Sequence, residues 1–520
     1  MTHTQSARIP APATAPAVLE RLATREAARP LGTKRSMITG RSLVAAAIVA
    51  GNLATAFPVH AEPTTYAVPA RSYGTQPETD PPRYVRSAHR TGIAALKEVD
   101  WLDLGLDFRE RYERREDDLR RSRLATDHPF LHRTRAYVGL RERLDPLRFA
   151  LEFEDARRSN GLFPRDTRDV NEYELIQGYG ELHFGHALGQ DARGNARPIR
   201  LRVGRMSWES LDRRLLGNNQ WRNTTNNHEG FRLNLGQEAN DWELDLWGVQ
   251  PILRDLEAFD TRDDDVWFYG GILNWRAWSD VITLQPHFLG LRQAATATRP
   301  AREVHAPGLR AYGVIPDTAW DFDASVMHQF GEDAGRRKEA WAGLIELGYV
   351  FPHPWRPRIS AFYAYASGDR DPRDTTDHRF ERFFGFARPW SADDYIVFEN
   401  VETPRMRLEL KPHQRWQLDA GYAAYWLASD RDRFNNLLGG INGEQRFNRD
   451  PTGNSGSFLG HALDLRIRYA ATERIDATLG YSHWINGGFV RSRQQATLGE
   501  RAERSDFLYF EIVINAFSRG

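Results

Sequence analysis

The chain has 520 residues, no cysteine and a formal net charge of zero. Disulfides, thiol catalysis and cysteine-ligated metal are therefore excluded, and the neutral balance argues against a nucleic-acid partner held by phosphate neutralisation. Only 41% of the residues are hydrophobic and mean hydropathy is -0.61. No run reaches the roughly 20 apolar residues of a spanning helix, whereas a transmembrane β-barrel keeps a hydrophilic average because only alternate residues face lipid.

Residues 1–36 are rich in Ala, Pro and Arg without periodicity. Lys34, Arg35 and Arg41 then flank an apolar run from Leu43 to about Phe57, and Val59-His60-Ala61 offers a small-residue cleavage site. That is the layout of a secretory signal peptide, with a core helix as the bland alternative. Met37 is an alternative start. Residues 1–61 are thus read as an N-terminal extension and signal peptide. Residues 62–92, rich in Pro, Thr, Arg and Tyr, are read as a flexible periplasmic lead-in, and 93–520 as the barrel.

From Leu102 the chain alternates. Leu102, Leu104, Leu106 and Phe108 interleave with Asp103, Gly105, Asp107 and Arg109. Successive side chains of a strand point to opposite faces, so this pattern predicts a half-apolar strand. Thr134–Leu140 and Leu147–Phe153 repeat it across a tight Leu144-Asp145-Pro146 turn, and Tyr173–Phe184 follows. Leu201–Val203 and Phe231–Leu235 bracket a polar loop rich in Asn, Gly and Arg. Twelve more candidates centre on Trp242–Val249, Val266–Trp275, Val281–Leu291, Leu309–Val314, Trp320–Phe330, Ala340–Tyr349, Arg358–Ala366, Arg405–Lys411, Trp416–Leu427, Leu459–Tyr469, Ile475–Trp484 and Phe507–Phe517. The total is about 18, an even number as bacterial single-chain barrels require.

The connections alternate as well. Those at 113–130, 155–172, 207–227, 250–264, 293–306, 367–400, 429–457 and 487–505 are long; the intervening ones, such as Pro316-Asp317-Thr318 and Ala471-Thr472-Glu473, are short. The connection at 185–198 is longer than this pattern favours. Long extracellular loops and short periplasmic turns are the mark of an outer-membrane barrel with both termini inside. Loops of such length often fold into the mouth, so 367–400 or 429–457 is expected to narrow the pore. Trp101, Trp242, Trp275, Trp278, Trp320, Trp416, Trp426 and Trp484 lie near predicted strand ends, where interfacial aromatic girdles belong.

Only Lys34, Lys97, Lys338 and Lys411 are lysine, so basic charge rests almost wholly on arginine. Arg109, Arg133, Arg135, Arg141, Arg148, Arg200, Arg202, Arg232, Arg310, Arg358, Arg405, Arg407, Arg466 and Arg468 fall opposite the apolar face of predicted strands, and Arg205 closes the fifth. In a barrel that face is the lumen. Guanidinium groups grip carboxylates at two points and stay charged, and rings of them favour anions. Apart from Arg109, these residues are the candidate pore-lining, anion-binding set. Asp103, Asp107, Glu152, Glu154, Asp245, Glu409 and Asp464 share that face. Structural cross-strand ladders are therefore the expected role of any single arginine, by about two to one over transport.

No Gly-x-Ser-x-Gly, His-Glu-x-x-His or Walker loop is present. The acidic run Asp260, Asp263, Asp264, Asp265 lacks calcium-loop spacing and reads as a solvated loop. No catalytic residue, metal or cofactor is expected.

Val203-Gly204-Arg205, Arg214-Leu215-Leu216-Gly217, Trp221-Arg222-Asn223-Thr224 and Gly230-Phe231-Arg232-Leu233 resemble the alginate export family of outer-membrane proteins. The likeness runs more loosely from Trp101 to Phe517. Met206-Ser207-Trp208 and Asn227-His228-Glu229 depart from the family pattern. The resemblance implies an 18-stranded barrel, an arginine-rich constriction and export of a polyuronate. The leading reading is an outer-membrane channel for an anionic polysaccharide, with outer-membrane lipid and periplasmic secretion proteins as partners. An uptake porin for small organic anions is second, and an outer-membrane barrel enzyme third.

Overall fold

The computed structural model describes Tyr66 and residues 79–121, 123–371, 373–434 and 448–518; the signal-like segment and the middle of the 429–457 connection lie outside them. Eighteen long strands form the wall. They are β1 (Leu102–Glu116), β2 (Phe130–Leu140), β3 (Leu147–Ser159), β4 (Asn171–Phe184), β5 (Ile199–Met206) and β6 (His228–Gly236). Next come β7 (Trp242–Leu253), β8 (Val266–Trp275), β9 (Ile282–Gln293), β10 (Arg302–Val314), β11 (Trp320–Asp333) and β12 (Arg336–Val350). The last six are β13 (Arg358–Ala366), β14 (Val401–His413), β15 (Trp416–Trp426), β16 (Phe458–Ala470), β17 (Ile475–Asn486) and β18 (Arg504–Asn515).

Each strand pairs antiparallel with the next, and β1 pairs with β18 from Asp107↔Asn515 to Glu116↔Asp506, so the sheet closes on itself. Closure removes every long edge, the one way a sheet can satisfy its backbone in hydrocarbon. The alternation read from sequence is the wall's radial order. On β13, Ser360, Phe362 and Ala364 are buried while Ile359, Tyr363 and Tyr365 are exposed. The exposed apolar phase faces lipid and the buried polar phase faces the lumen.

Several strands outrun their predicted limits. β1 continues to Glu116 and β10 begins at Arg302. Their distal halves carry charge on both faces, which hides the period-2 signal where the wall rises above the apolar belt. The β11–β12 connection is a two-residue Ala334-Gly335 turn, an exception to the long outer loops. The 487–503 connection holds α1 (Gly488–Leu498).

Trp275, Trp278 and Trp416 are exposed near the inner ends, and Trp416 stacks on Tyr469 at 4.4 Å, as a girdle requires. Trp484 is a correction: it is fully buried and stacks on Tyr425 at 4.9 Å. It shares the inward phase of Ser482 and Asn486. On β18, Ser505, Phe507 and Tyr509 point inward and Phe510 and Ile514 outward, which resolves that strand's facing.

Gly204 and Gly230 sit opposite each other between β5 and β6. Their φ values are +130° and +155°, and an added Cβ would strike the Gly178 and Gly248 carbonyls respectively. This is why the Gly-Arg and Gly-x-Arg segments need glycine: the neighbouring backbone fills the place of a side chain.

Candidate permeation path

Two connections fold into the barrel instead of away from it. The 207–227 segment buries Trp208, Leu215, Leu216 and Trp221 together with Asn218, Asn219, Asn223, Thr224 and Thr225. Its Trp-Arg-Asn-Thr run is a clamp. Asn223 donates through Nδ2 to the carbonyls of His132 (3.0 Å), Arg157 (3.0 Å) and Asp169 (2.9 Å). Its Oδ1 accepts from Arg109 at 3.0 Å. The Thr225 hydroxyl and amide both donate to Glu154, at 2.7 and 3.0 Å. A side-chain amide satisfying three wall and loop carbonyls replaces the hydrogen bonds a buried loop would otherwise lack.

The 367–400 segment is buried almost throughout from Gly385 to Asn400. It meets the first loop edge to edge: the Phe384 amide donates to the Leu215 carbonyl (3.0 Å) and the Phe386 amide to that of Arg213 (3.1 Å). Phe384 packs against His228 and Phe268 with centroids 4.8 and 5.0 Å apart. Arg222 pairs with Asp394 at 2.9 Å, and Arg388 lies 3.6 Å over the Trp221 ring. Of the two loops expected to narrow the pore, 367–400 lies buried against 207–227 and the wall, and the middle of 429–457 lies outside the described residues.

Where the loops meet the wall, a void of about 30 Å³ is lined by Arg111, Arg115, Arg120, Arg121, Arg168 and Arg222 against Glu113, Asp127, Asp169 and Asp394. Asp118 and Asp166 also pair with these arginines, at 2.8 Å to Arg120 and 2.7 Å to Arg168, so the cluster is a mixed ionic network. Burial, and then the charges of Arg168, Arg382 and Arg120 against the attraction of Asp394, bring the Arg222 guanidinium down to about 10. Burial also opposes ionisation of Asp118, but Arg120 and Arg115 hold it well below the usual carboxylate range. Toward the outer mouth a cavity of about 800 Å³ is lined by seven basic and six acidic side chains, Arg302, Lys338, Arg379, Glu381 and Glu399 among them.

The fourteen arginines expected to bind anions divide by partner. Arg135 pairs with Glu154 at 2.9 Å, Arg232 with Asp245 at 2.8 Å and Arg310 with Asp323 at 2.8 Å. Arg358 joins Asp321, Glu346 and Glu409 at 2.6, 3.1 and 2.8 Å. Asp419 gathers Arg407 (3.2 Å), Arg466 (2.5 Å) and Arg468 (3.8 Å), so one carboxylate faces three cations. These are cross-strand ladders.

Arg141 and Arg148 sit at the inner rim on Asp103 and Asp145. Arg205 is out of phase with Arg200 and Arg202 and binds Glu174 (2.5 Å) and Glu229 (3.7 Å) beyond the Gly204 kink. Arg133 reaches Asp107 only at 3.7 Å and the Gln220 carbonyl at 3.4 Å. Arg405 donates to the Pro389 carbonyl at 2.9 Å and lies 4.3 Å over Phe362. Arg200 and Arg202 pair with Asp80, from the segment before the wall.

Arg111 and Arg115 escaped the sequence reading because β1 was ended too early; extending its phase from Arg109 would have found them. Arg120, Arg121, Arg168 and Arg222 come from loops, where no period exists to mark a face.

The closed wall, outward apolar phase and charged, loop-constricted lumen define an outer-membrane β-barrel channel. The fold is similar to *Pseudomonas aeruginosa* OccK8 (OprE) (TM-score 0.51, 11% identity, 80% of this chain and 98% of that one). It is also similar to OccK11 (OpdR) of the same organism (TM-score 0.50, 12% identity, 80% and 95%). No curated protein matches in sequence. The alginate export family model matches residues 100–503, most of the chain, and the protein belongs to that family.

Proposed function

We propose that this channel exports an anionic polysaccharide of the polyuronate, alginate-like class, and that the arginine set lines its path. The observation that carries the reading is the arginine cluster where the inward loops meet the wall, which brings Arg111, Arg115, Arg120, Arg121, Arg168 and Arg222 around one void. Family membership supports it. A polyanion needs attraction at each step without a trap. Ladders such as Arg310–Asp323 hold the wall, and loosely held cations such as Arg133, 3.7 Å from Asp107, and Arg405, held by the Pro389 carbonyl, supply the attraction. The proposed route is secretion to the outer membrane with the mature chain beginning near Glu62, which N-terminal sequencing checks.

The test is reversal potential and current block in planar bilayers. The open pore should prefer anions, and oligouronates should block it. Arg133→Glu or Arg405→Glu should lower or invert the preference, and lysine there should weaken block more than selectivity because the two-point fit is lost. Arg310→Glu, within a ladder, should instead impair assembly. A cation-selective wild-type pore indifferent to oligouronates refutes the reading.

The small size of the throat void, about 30 Å³, favours a second reading as an uptake porin for small organic anions. Block that does not strengthen with uronate chain length would select it.

A further inference from the structure

Residues 79–87 occupy the inner mouth of the barrel. Val85–Ser87 pairs antiparallel with Asp103–Gly105 of β1, on the side that β18 leaves free below Asp107. Gly105 faces the lumen in the phase of Asp103 and Asp107. A Cβ there would come within 2.8 Å of the Tyr84 ring and of Val85, so the wall is recessed where the segment lies. The Tyr84 hydroxyl donates to Glu152 at 2.6 Å, and Arg86 donates to the Ser518 carbonyl at 2.8 Å.

This docking delivers one carboxylate. Asp80 accepts a close hydrogen bond from Arg202 and lies 3.5 Å from Arg200. Arg202 is buried, stacks over Tyr179 at 4.6 Å and is oriented from behind by Glu181. Arg232 adds its field from the next strand. The carboxylates described for the other candidate arginines belong to barrel strands or an adjoining turn. Asp80 alone arrives from outside the wall, and 39% of its side chain stays accessible within the lumen. Burial opposes its ionisation, but Arg202 and Arg200 bring the carboxyl down to about 2.

The geometry points to a carboxylate-binding site at the periplasmic mouth, formed by Arg200 and Arg202 with Tyr179 beneath, in which Asp80 stands in for a uronate carboxylate of the cargo and is displaced by it. The ligand class rests on the export reading above; the docked segment does not. A planar, oriented guanidinium on a ring suits a carboxylate carried on a sugar, which adds an apolar face to the charge. Displacement is an exchange of like for like: one carboxylate leaves Arg202 as another arrives, and no buried cation is stranded. Residues 84–87 keep their own hold, a three-residue strand, the buried Tyr84 and Val85, and hydrogen bonds from Tyr84, Arg86 and Ser87, so Asp80 can leave Arg202 while the strand stays docked.

The test uses the full-length protein in planar bilayers with trigalacturonate added on the periplasmic side. If Asp80 holds the site nine-tenths of the time, its loss raises apparent affinity roughly tenfold. Asp80→Asn should therefore strengthen block about tenfold and raise chloride conductance. Arg202→Gln on that background should remove the gain. The chain has no cysteine, so Arg86→Cys with Leu104→Cys, partners in register, gives a lock free of competing thiols. Oxidation should suppress block and reduction restore it. If Asp80→Asn and the oxidised lock both behave as wild type while Arg202→Gln weakens block, the displaced-segment proposal is overturned and the arginine path survives. If neither wild type nor Asp80→Asn binds trigalacturonate, the carboxylate site falls, and the export reading with it.

Discussion

The pair Arg222–Asp394 joins the two inward loops, and its halves should respond unequally to removal. Asp394 lies 2.9 Å from Arg222 and 3.2 Å from Arg120. Removing it by Asp394→Asn takes the carboxylate from the buried Arg222 guanidinium, while Arg120 keeps Asp118 at 2.8 Å. Breaking a buried pair in this way costs about 3–5 kcal/mol. Arg222→Gln differs. The fall of that guanidinium from 12.5 to about 10 corresponds to roughly 3 kcal/mol against its charged form. Removing the charge relieves this cost, and Asp394 keeps Arg120. The two backbone hydrogen bonds from Phe384 and Phe386 remain in either variant. Amide exchange of residues 376–400 reads the local opening. Asp394→Asn should accelerate it at least about a hundredfold, the equivalent of about 3 kcal/mol at about 1.4 kcal/mol per tenfold. Arg222→Gln should leave it within about threefold, while reducing the anion preference of the pore. Equal acceleration by both substitutions would show that the junction depends on the pair as a unit, and the argument from unequal halves would fail.

Three further outcomes follow from the same geometry. Gly204→Ala should cost at least about 1–2 kcal/mol from its left-handed backbone and more from collision with Gly178. Gly180→Ala, whose Cβ would meet only Phe149 at 3.7 Å, should be near neutral; heat-modifiable gel mobility compares them. Deleting 370–395 should raise single-channel conductance without abolishing insertion, because the eighteen wall strands pair with one another and the segment adds only Thr376–Asp377 beside Arg337–Lys338 at the start of β12; unchanged conductance in inserted barrels would remove its role. The Asp80 carboxyl is depressed on docking, so its contribution is full above the ordinary value of 3.8 and is lost as pH falls toward about 2. Chloride conductance should thus be flat from pH 8 to 5 and rise only below about 3.

The wall was legible from one dimension because a barrel strand is a local object. Its period of two records lipid on one side and lumen on the other at every residue, and β8 and β13 match their predicted limits. The Gly-Arg and Trp-Arg-Asn-Thr segments could likewise be recognised, though not explained. Only the tertiary structure decided what each charge faces. Arg310 meets Asp323 through the register of two adjacent strands, whereas Arg222 meets Asp394 from a loop 172 residues away. Asp80 reaches Arg202 across 122 residues of chain. Alternation says which face a strand residue takes, but pairing between loops and wall depends on closure of the whole ring. The arginine cluster of the throat exists only where those remote segments come together.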